Sequence, residues 1–325
     1  MKHCLMTGLF TAAILSACTN GKYEGADRAG SKLAVKGIIS NTVSRVGTTG
    51  MVSSWESGDA IGVSTTGNGT DFFNMKYTTD ESGNFSAANG DIYLLSEEMV
   101  GLNAYYPYKE DTELSGGIYP FSIKDDNHNY VAHDFLFAAA ALTRSPGEET
   151  AATLQFSHKM NRLVLNLNVD DPEVNAKEGD AVTFILPGIT TDGTFNVNSG
   201  EITPESITDK VVFTGIYGQP TSLLYIPQMK SNVELLVKIG SKYFSAVIPK
   251  LATSEDESGY SYTYTIKKIR ENVIVKLENT SINDWNAGEG GDIEAEEKHQ
   301  ETAGIPSVGD WNNGGDIELS DSNQF

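Results

Sequence analysis

Arg162-Leu163-Val164-Leu165-Asn166-Leu167-Asn168-Val169 is apolar at every second position from Leu163 to Val169. A period of two puts Leu163, Leu165, Leu167 and Val169 on one face of an extended chain and the polar Arg162, Asn166 and Asn168 on the other. The stretch therefore predicts a strand with one buried face, not a helix. The same period recurs downstream. Val233, Leu235, Val237 and Ile239 form a row, a turn follows at Gly240, and Phe244, Ala246 and Ile248 return, which predicts a hairpin. Tyr260, Tyr262, Tyr264 and Ile266 make a third row, and Val273, Val275 and Leu277 a fourth. Two antiparallel sheets would bury such rows against each other in a sandwich with polar outer faces.

Upstream, short apolar pieces alternate with turn material. VKGIIS, DAIGVS, FFNMKY, DIYLLS, LNAYYPY and DFLFAAA are separated by Gly58-Asp59, Thr66-Gly67-Asn68-Gly69, Ser82-Gly83-Asn84 and Asn89-Gly90-Asp91. Asn-Gly pairs suit positive backbone angles. Tyr105-Tyr106-Pro107-Tyr108 reads as a strand end, with alternate rings in the core and at the rim and proline at the exit. Ala138 to Leu142 is helix-compatible, but DFLF before it favours a strand, and no long helix is expected. Across 325 residues, 32 Gly, 14 Tyr and 13 Phe agree with many short strands and turns. The expected fold class is all-β, with a first strand-rich domain over 33–150 and a second over 151–290, divided by the polar PGEET segment between Pro146 and Ala152.

The two ends differ from this body. Residues 1–17, MKHCLMTGLFTAAILSA, place Lys2 before an apolar run too short for a permanent bilayer span, the pattern of an export signal. Leu15-Ser16-Ala17-Cys18 resembles a bacterial lipobox, which implies lipid modification of Cys18 and attachment to the outer-membrane lipid; residues 18–32 are then a polar tether. Cys4 lies inside the signal, so the mature chain would keep one cysteine and no internal disulfide. Residues 291–325 carry nine acidic residues against Lys298 and few apolar ones, an acidic glycine-containing tail that cannot build a further core. Asp284-Trp285-Asn286-Ala287-Gly288-Glu289-Gly290-Gly291-Asp292-Ile293-Glu294 is echoed by Asp310-Trp311-Asn312-Asn313-Gly314-Gly315-Asp316-Ile317-Glu318. Trp285 and Trp311 are thus candidate C-terminal docking anchors.

With 23 Lys and Arg against 44 Asp and Glu, the net charge of −21 offers phosphate backbones no broad positive face, so nucleic acid is not an expected partner. Catalytic signals are weak. Asp125, Asp126, His128, His133 and Asp134 are the densest group of metal-compatible donors, but in an extended chain His133 and Asp134 point to opposite faces and His128 and His133 differ in parity. No metal is expected there. Ser157-His158 lacks a nucleophile elbow, and GNGT and GEGG lack the lysine, strand and helix of a phosphate loop. The chain is read as a non-enzyme without cofactors.

Together, several pieces resemble the fimbrillin-like lipoproteins of Bacteroides-type bacteria, over nearly all of Cys18 to Glu296. They are the lipobox, Trp55-Glu56-Ser57-Gly58-Asp59-Ala60-Ile61-Gly62-Val63, Ala104-Tyr105-Tyr106-Pro107-Tyr108, Asp134-Phe135-Leu136-Phe137-Ala138, Phe156-Ser157-His158-Lys159-Met160-Asn161-Arg162-Leu163, Tyr225-Ile226-Pro227-Gln228 and the Trp285 glycine segment. The resemblance implies two tandem β-sandwich domains of Greek-key, transthyretin-like type in a structural, anchor or tip subunit of a fimbrium on the cell surface. It further implies assembly with other fimbrial subunits by strand exchange after proteolysis at an arginine. On that basis Arg45 is the preferred cleavage position and Arg28 the alternative, and Leu33, Val35 and Ile38 belong to the displaced strand. The competing expectation is a monomeric surface lipoprotein that binds a glycan or a host protein through an exposed face.

Overall fold

The computed structural model describes residues 30–40, 54–124, 130–145, 149–167, 176–252, 258–269, 272–277, 286–287 and 292–296. Among these the protein is all-β. Its first half holds β1 (Ser31–Ile39), β2 (Ala60–Thr66), β3 (Met75–Thr79), β4 (Asn84–Ala87), β5 (Tyr93–Leu94), β6 (Met99–Tyr106), β7 (Ile118–Ser122), a single turn of helix α1 (Tyr130–His133), β8 (Leu136–Thr143) and β9 (Thr150–His158). One sheet runs in the order β4-β3-β2-β6-β8-β9-β1-β5, and β4 also pairs with β1, so the sheet curls back on itself. Closure removes exposed edges and encloses a core of Leu33, Val35, Ile39, Trp55, Ile61, Val63, Tyr77, Phe85, Leu102, Leu154 and Phe156, among others.

The second half begins with the strand of residues 161–167. β10 (Asn161–Leu167) carries Leu163, Leu165 and Leu167 fully buried in one row. It is followed by β11 (Ala181–Thr190), β12 (Asp192–Asn196), β13 (Ile202–Pro204), β14 (Thr208–Ile216), β15 (Pro220–Tyr225), β16 (Ser231–Ile239), β17 (Lys242–Lys250), β18 (Tyr260–Ile269), β19 (Asn272–Leu277), β20 (Asn286–Ala287) and β21 (Asp292–Glu296). One sheet runs β15-β10-β18-β19-β21, with β20 on β18, and another runs β14-β11-β16-β17. Their inward rows share one core, in which Leu163, Leu165, Tyr262 and Tyr264 meet Phe184, Phe213, Val237 and Phe244. The β16–β17 hairpin follows the alternation in its sequence: Val237 faces Phe244, Leu235 faces Ala246, and Gly240 takes a φ of 59° in the turn.

Three placements go beyond the sequence reading. β9 lies after the polar PGEET segment yet pairs with β1 and β8 in the first sheet, so the change of core falls between His158 and Asn161. β21 falls within the segment read as tail and extends the second half's sheet beside β19. The third is a link between the halves. β7 pairs along its length with β12, which pairs with β13, forming a small sheet from both parts of the chain. Phe121 and Phe195 from this sheet pack against Phe135, whose ring stacks on that of Phe195 at 4.6 Å. Gly200, after β12, has a φ of 72° and lies so close to the Phe137 ring that a Cβ there would be 2.3 Å from the ring carbon. The lower part of the first sheet is therefore covered on both faces.

That cover explains Tyr105 and Tyr106. Alternation sends them to opposite faces, and both are buried: Tyr106 beside Trp55 in the first core, Tyr105 beside Phe195 in the second. No ring of this pair sits at a rim, because the outward face of β6 is itself an interior here. Each hydroxyl has a partner; that of Tyr105 donates to Asn74 Oδ1 at 2.7 Å and that of Tyr106 to Asp59 Oδ1 at 3.2 Å.

Candidate functional site

β1 is the element that the sequence marks for a functional role, and the physics of its seat begins with its alternation. Ser31, Leu33, Val35, Gly37 and Ile39 point inward, while Lys32, Lys36 and Ile38 point out. Leu33 and Val35 therefore belong to the buried row. Ile38 does not: it is 38% exposed, and Ile39, at 4%, takes the core position one residue on. A run of two isoleucines hides the parity, which the lysines at 32 and 36 reveal. Each buried aliphatic side chain contributes about 1.5–3 kcal/mol relative to exposure.

The strand is held on both sides. On one, it runs parallel to β9, in register from Leu33 opposite Thr150 to Ile39 opposite Phe156. Past the strand end, the Ser40 N–H donates to the Phe156 carbonyl at 3.0 Å. On the other, shorter pieces meet it: β5 pairs at Ser31 and Lys32, and β4 at Val35 and Lys36. Between and beyond these, the Leu33 N–H donates to the Ile92 carbonyl and the Gly37 N–H to the Gly83 carbonyl, both at 2.9 Å. A salt bridge from Lys32 to Asp91 at 3.0 Å lies outside; the hydrogen bond and the charge of Asp91 raise the Lys32 pKa above its ordinary value.

At the far end of the seat, Trp55 closes over Gly37. Its Nε1–H donates to the Gly37 carbonyl at 2.9 Å. The indole makes edge contacts with Phe85, Phe156 and Tyr106 at centroid distances of 5.0, 5.2 and 5.6 Å. Three aromatic rings, those of Trp55, Phe85 and Phe156, thus converge on the one position of the inward row that has no side chain, with Tyr106 packed behind Trp55. Neither Gly37 nor Trp55 is among the candidate site residues that the sequence marks. The signal was present in Gly37 itself, since a lone glycine within a strand marks a close approach.

Other candidates fall apart or lie elsewhere. Cys18, Arg28, Arg45, Trp285 and Trp311 are outside the described residues, as are Asp125, Asp126 and His128. Among the described residues no group of three or more His, Cys, Asp and Glu is arranged to hold a metal ion. Ser157 and His158 alternate to opposite sides of β9, so the serine and the histidine do not form a nucleophile and base. His158 instead pairs its Nδ1 with Asp134 Oδ1 at 2.6 Å, with both side chains buried. This contact fastens the start of β8 to the end of β9, where the chain crosses from the first core to the second.

Similarity to known proteins agrees with this architecture. A family model described as fimbrillin-like matches residues 44–285. A Bacteroides uniformis protein named "Putative fimbrium subunit Fim1C" is 26% identical over 309 residues, covering 89% of this chain and 97% of the relative. Among solved structures, a "putative cell adhesion protein" from Bacteroides ovatus superposes with a TM-score of 0.64 at 24% identity, over 81% of this chain and 100% of that one. Another so named, from Bacteroides uniformis, gives 0.58 at 24% identity, over 76% and 97%. These two likenesses concern the fold.

Proposed function

The chain belongs to the fimbrillin-like family, and from that premise we propose that it is a surface fimbrial subunit of stalk, anchor or tip type, built of two tandem β-sandwich domains of Greek-key, transthyretin-like type. It is delivered by the signal of residues 1–17, tethered to the outer membrane through lipid on Cys18, and joined to other subunits by strand exchange. β1 is the strand that leaves. Cleavage at Arg45, between β1 and Trp55, or at Arg28 ahead of β1, frees it, and the segments around Trp285 and Trp311 are the docking anchors on the donor side.

One observation carries this reading: β1 is one whole strand of a closed sheet, paired on both of its edges. Its withdrawal would uncover the β9 backbone from Thr150 to Phe156, the partner carbonyls of Ile92 and Gly83, and the hollows that hold Leu33, Val35 and Ile39. An added strand satisfies the backbone groups and fills the hollows together, which gives durable association without a disulfide. No catalytic residue is assigned.

The test combines Cys18→Ala, Arg45→Ala, Arg28→Ala and deletion of residues 291–325 in cells, followed by lipid labelling, sizing of the mature chain and detection of heat-sensitive polymers. The expected results are loss of label with the first change, loss of processing with one arginine change, and loss of polymer with the deletion. Attachment unchanged by Cys18→Ala, together with an unprocessed chain and no polymer in the unmodified strain, would reject the reading.

A further inference from the structure

A Cβ built on Gly37 would lie 2.7 Å from Phe85 Cε2, 3.1 Å from Phe156 Cε2 and 3.2 Å from Trp55 Cζ2. The first distance is shorter than any tolerated carbon contact, and the rings have little room to yield. Trp55 is held by its bond to the Gly37 carbonyl and by edge contacts with both phenylalanines, and Phe85 and Phe156 are themselves buried at 6% and 0% exposure. The strand backbone is pressed from the other direction as well. Gly83 lies against it with a φ of 78°, where a Cβ would come within 2.6 Å of the Gly37 carbonyl oxygen.

We propose that this aromatic box is a specificity element. The seat of β1 accepts an extended strand of a second polypeptide that places glycine beneath Trp55 and aliphatic side chains two and four residues to one side and two to the other, as Val35, Leu33 and Ile39 stand now. The proposal rests on the strand-exchange reading and deepens it by stating what the incoming strand must be. The glycine sets register as well as identity. A slip of two residues along β9 would drive the Val35 or Ile39 position under the rings, and a slip of one would turn the whole row outward. The carbonyl at the glycine position accepts the indole N–H, so the strand is recognised by a missing side chain and a backbone acceptor at the same point.

The experiment uses the full chain with a specific protease site placed within residues 41–50, cut so that β1 is held by its pairing alone. Fluorescent peptides of residues 31–40, unchanged or with Gly37→Ala, are then offered, and incorporation is followed by anisotropy. The unchanged peptide should enter and the alanine peptide should bind about 30-fold more weakly, the size of a buried overpacking penalty. In a Phe85→Leu protein, which lacks the Cε2 atom in the way, the difference should shrink to about threefold. Equal binding of the two peptides to the unaltered seat would overturn the proposal while leaving strand exchange standing. A difference unchanged by Phe85→Leu would also overturn it, since the rings would then not be its cause. Failure of even the unchanged peptide to enter would reject strand exchange and this inference together.

Discussion

Trp55 shows how one side chain can close a core that strands alone leave open. Its ring packs among Phe85, Tyr106 and Phe156, and its N–H finds the Gly37 carbonyl, so a large apolar surface is buried without an orphaned donor. Trp55→Ala should cost roughly 3–5 kcal/mol of unfolding free energy in urea titrations, and Trp55→Phe less, since it keeps part of the packing. Asp134 and His158 are a different case, charge-capable groups bonded to each other in the interior. Truncating one member of such a pair removes a charge-assisted bond from the interior, and Asp134→Ala should cost about 3–5 kcal/mol. The comparison is Lys124, whose ammonium meets Asp209 Oδ2 at 2.6 Å but lies half exposed. Lys124→Ala should change stability by about 1 kcal/mol or less. Equal losses in the two variants would show that burial is not what distinguishes these pairs.

At the scale of elements, the strand rows in 161–167, 231–250 and 260–266 are legible from period two, although the single buried face expected of 161–167 is corrected by the fold, which buries Arg162 and Val164 on the other side of β10 as well. The partner of a strand could not be read in the same way. Nothing in SKLAVKGII says that it lies parallel to TAATLQFSH, more than a hundred residues later, or that IYPFS pairs with DGTFN. Alternation reports which face is buried, and pairing over such distances is decided by the packing of the whole. The candidate site is legible to the same degree: Leu33, Val35 and Ile38 all lie in β1, but which of the two isoleucines faces the core and the aromatic box around Gly37 need three dimensions. Parity gives a direct test. Ile39→Ala should lower stability by about 2–5 kcal/mol, whereas Ile38→Ala, on the outer face, should stay within about 1 kcal/mol. Chemical denaturation of both variants decides between the two registers, and the reverse ranking would move the strand by one residue.

Over the whole molecule, tyrosines tie the two cores to alkaline pH. Burial raises the Tyr77 pKa to about 12, and it raises Tyr105, Tyr106 and Tyr264 further. A phenol whose folded pKa exceeds its unfolded value stays protonated in the fold while the unfolded chain ionises. Its contribution is therefore complete below the ordinary phenol pKa near 10 and is lost as pH rises from there toward the folded values. Thermal midpoints should stay level on this account from pH 7 to about 9 and fall steeply above about 10. Phenolate absorbance from the buried rings should appear together with loss of strand signal in circular dichroism. Titration of those rings near pH 10 with the fold intact would contradict the burial described.

The parallel ladder between β1 and β9 also sets an order of events during manufacture. Leu33 is made long before its partner Thr150, and at synthesis rates of about 5–20 residues per second the wait is several seconds. β1 can pair with β4 and β5 earlier, but its other edge waits for β9, and until then the first core stands open along that side. A protein that must pass through this gapped form each time it matures already possesses, as an ordinary stage of its biogenesis, the vacancy that a neighbour could fill.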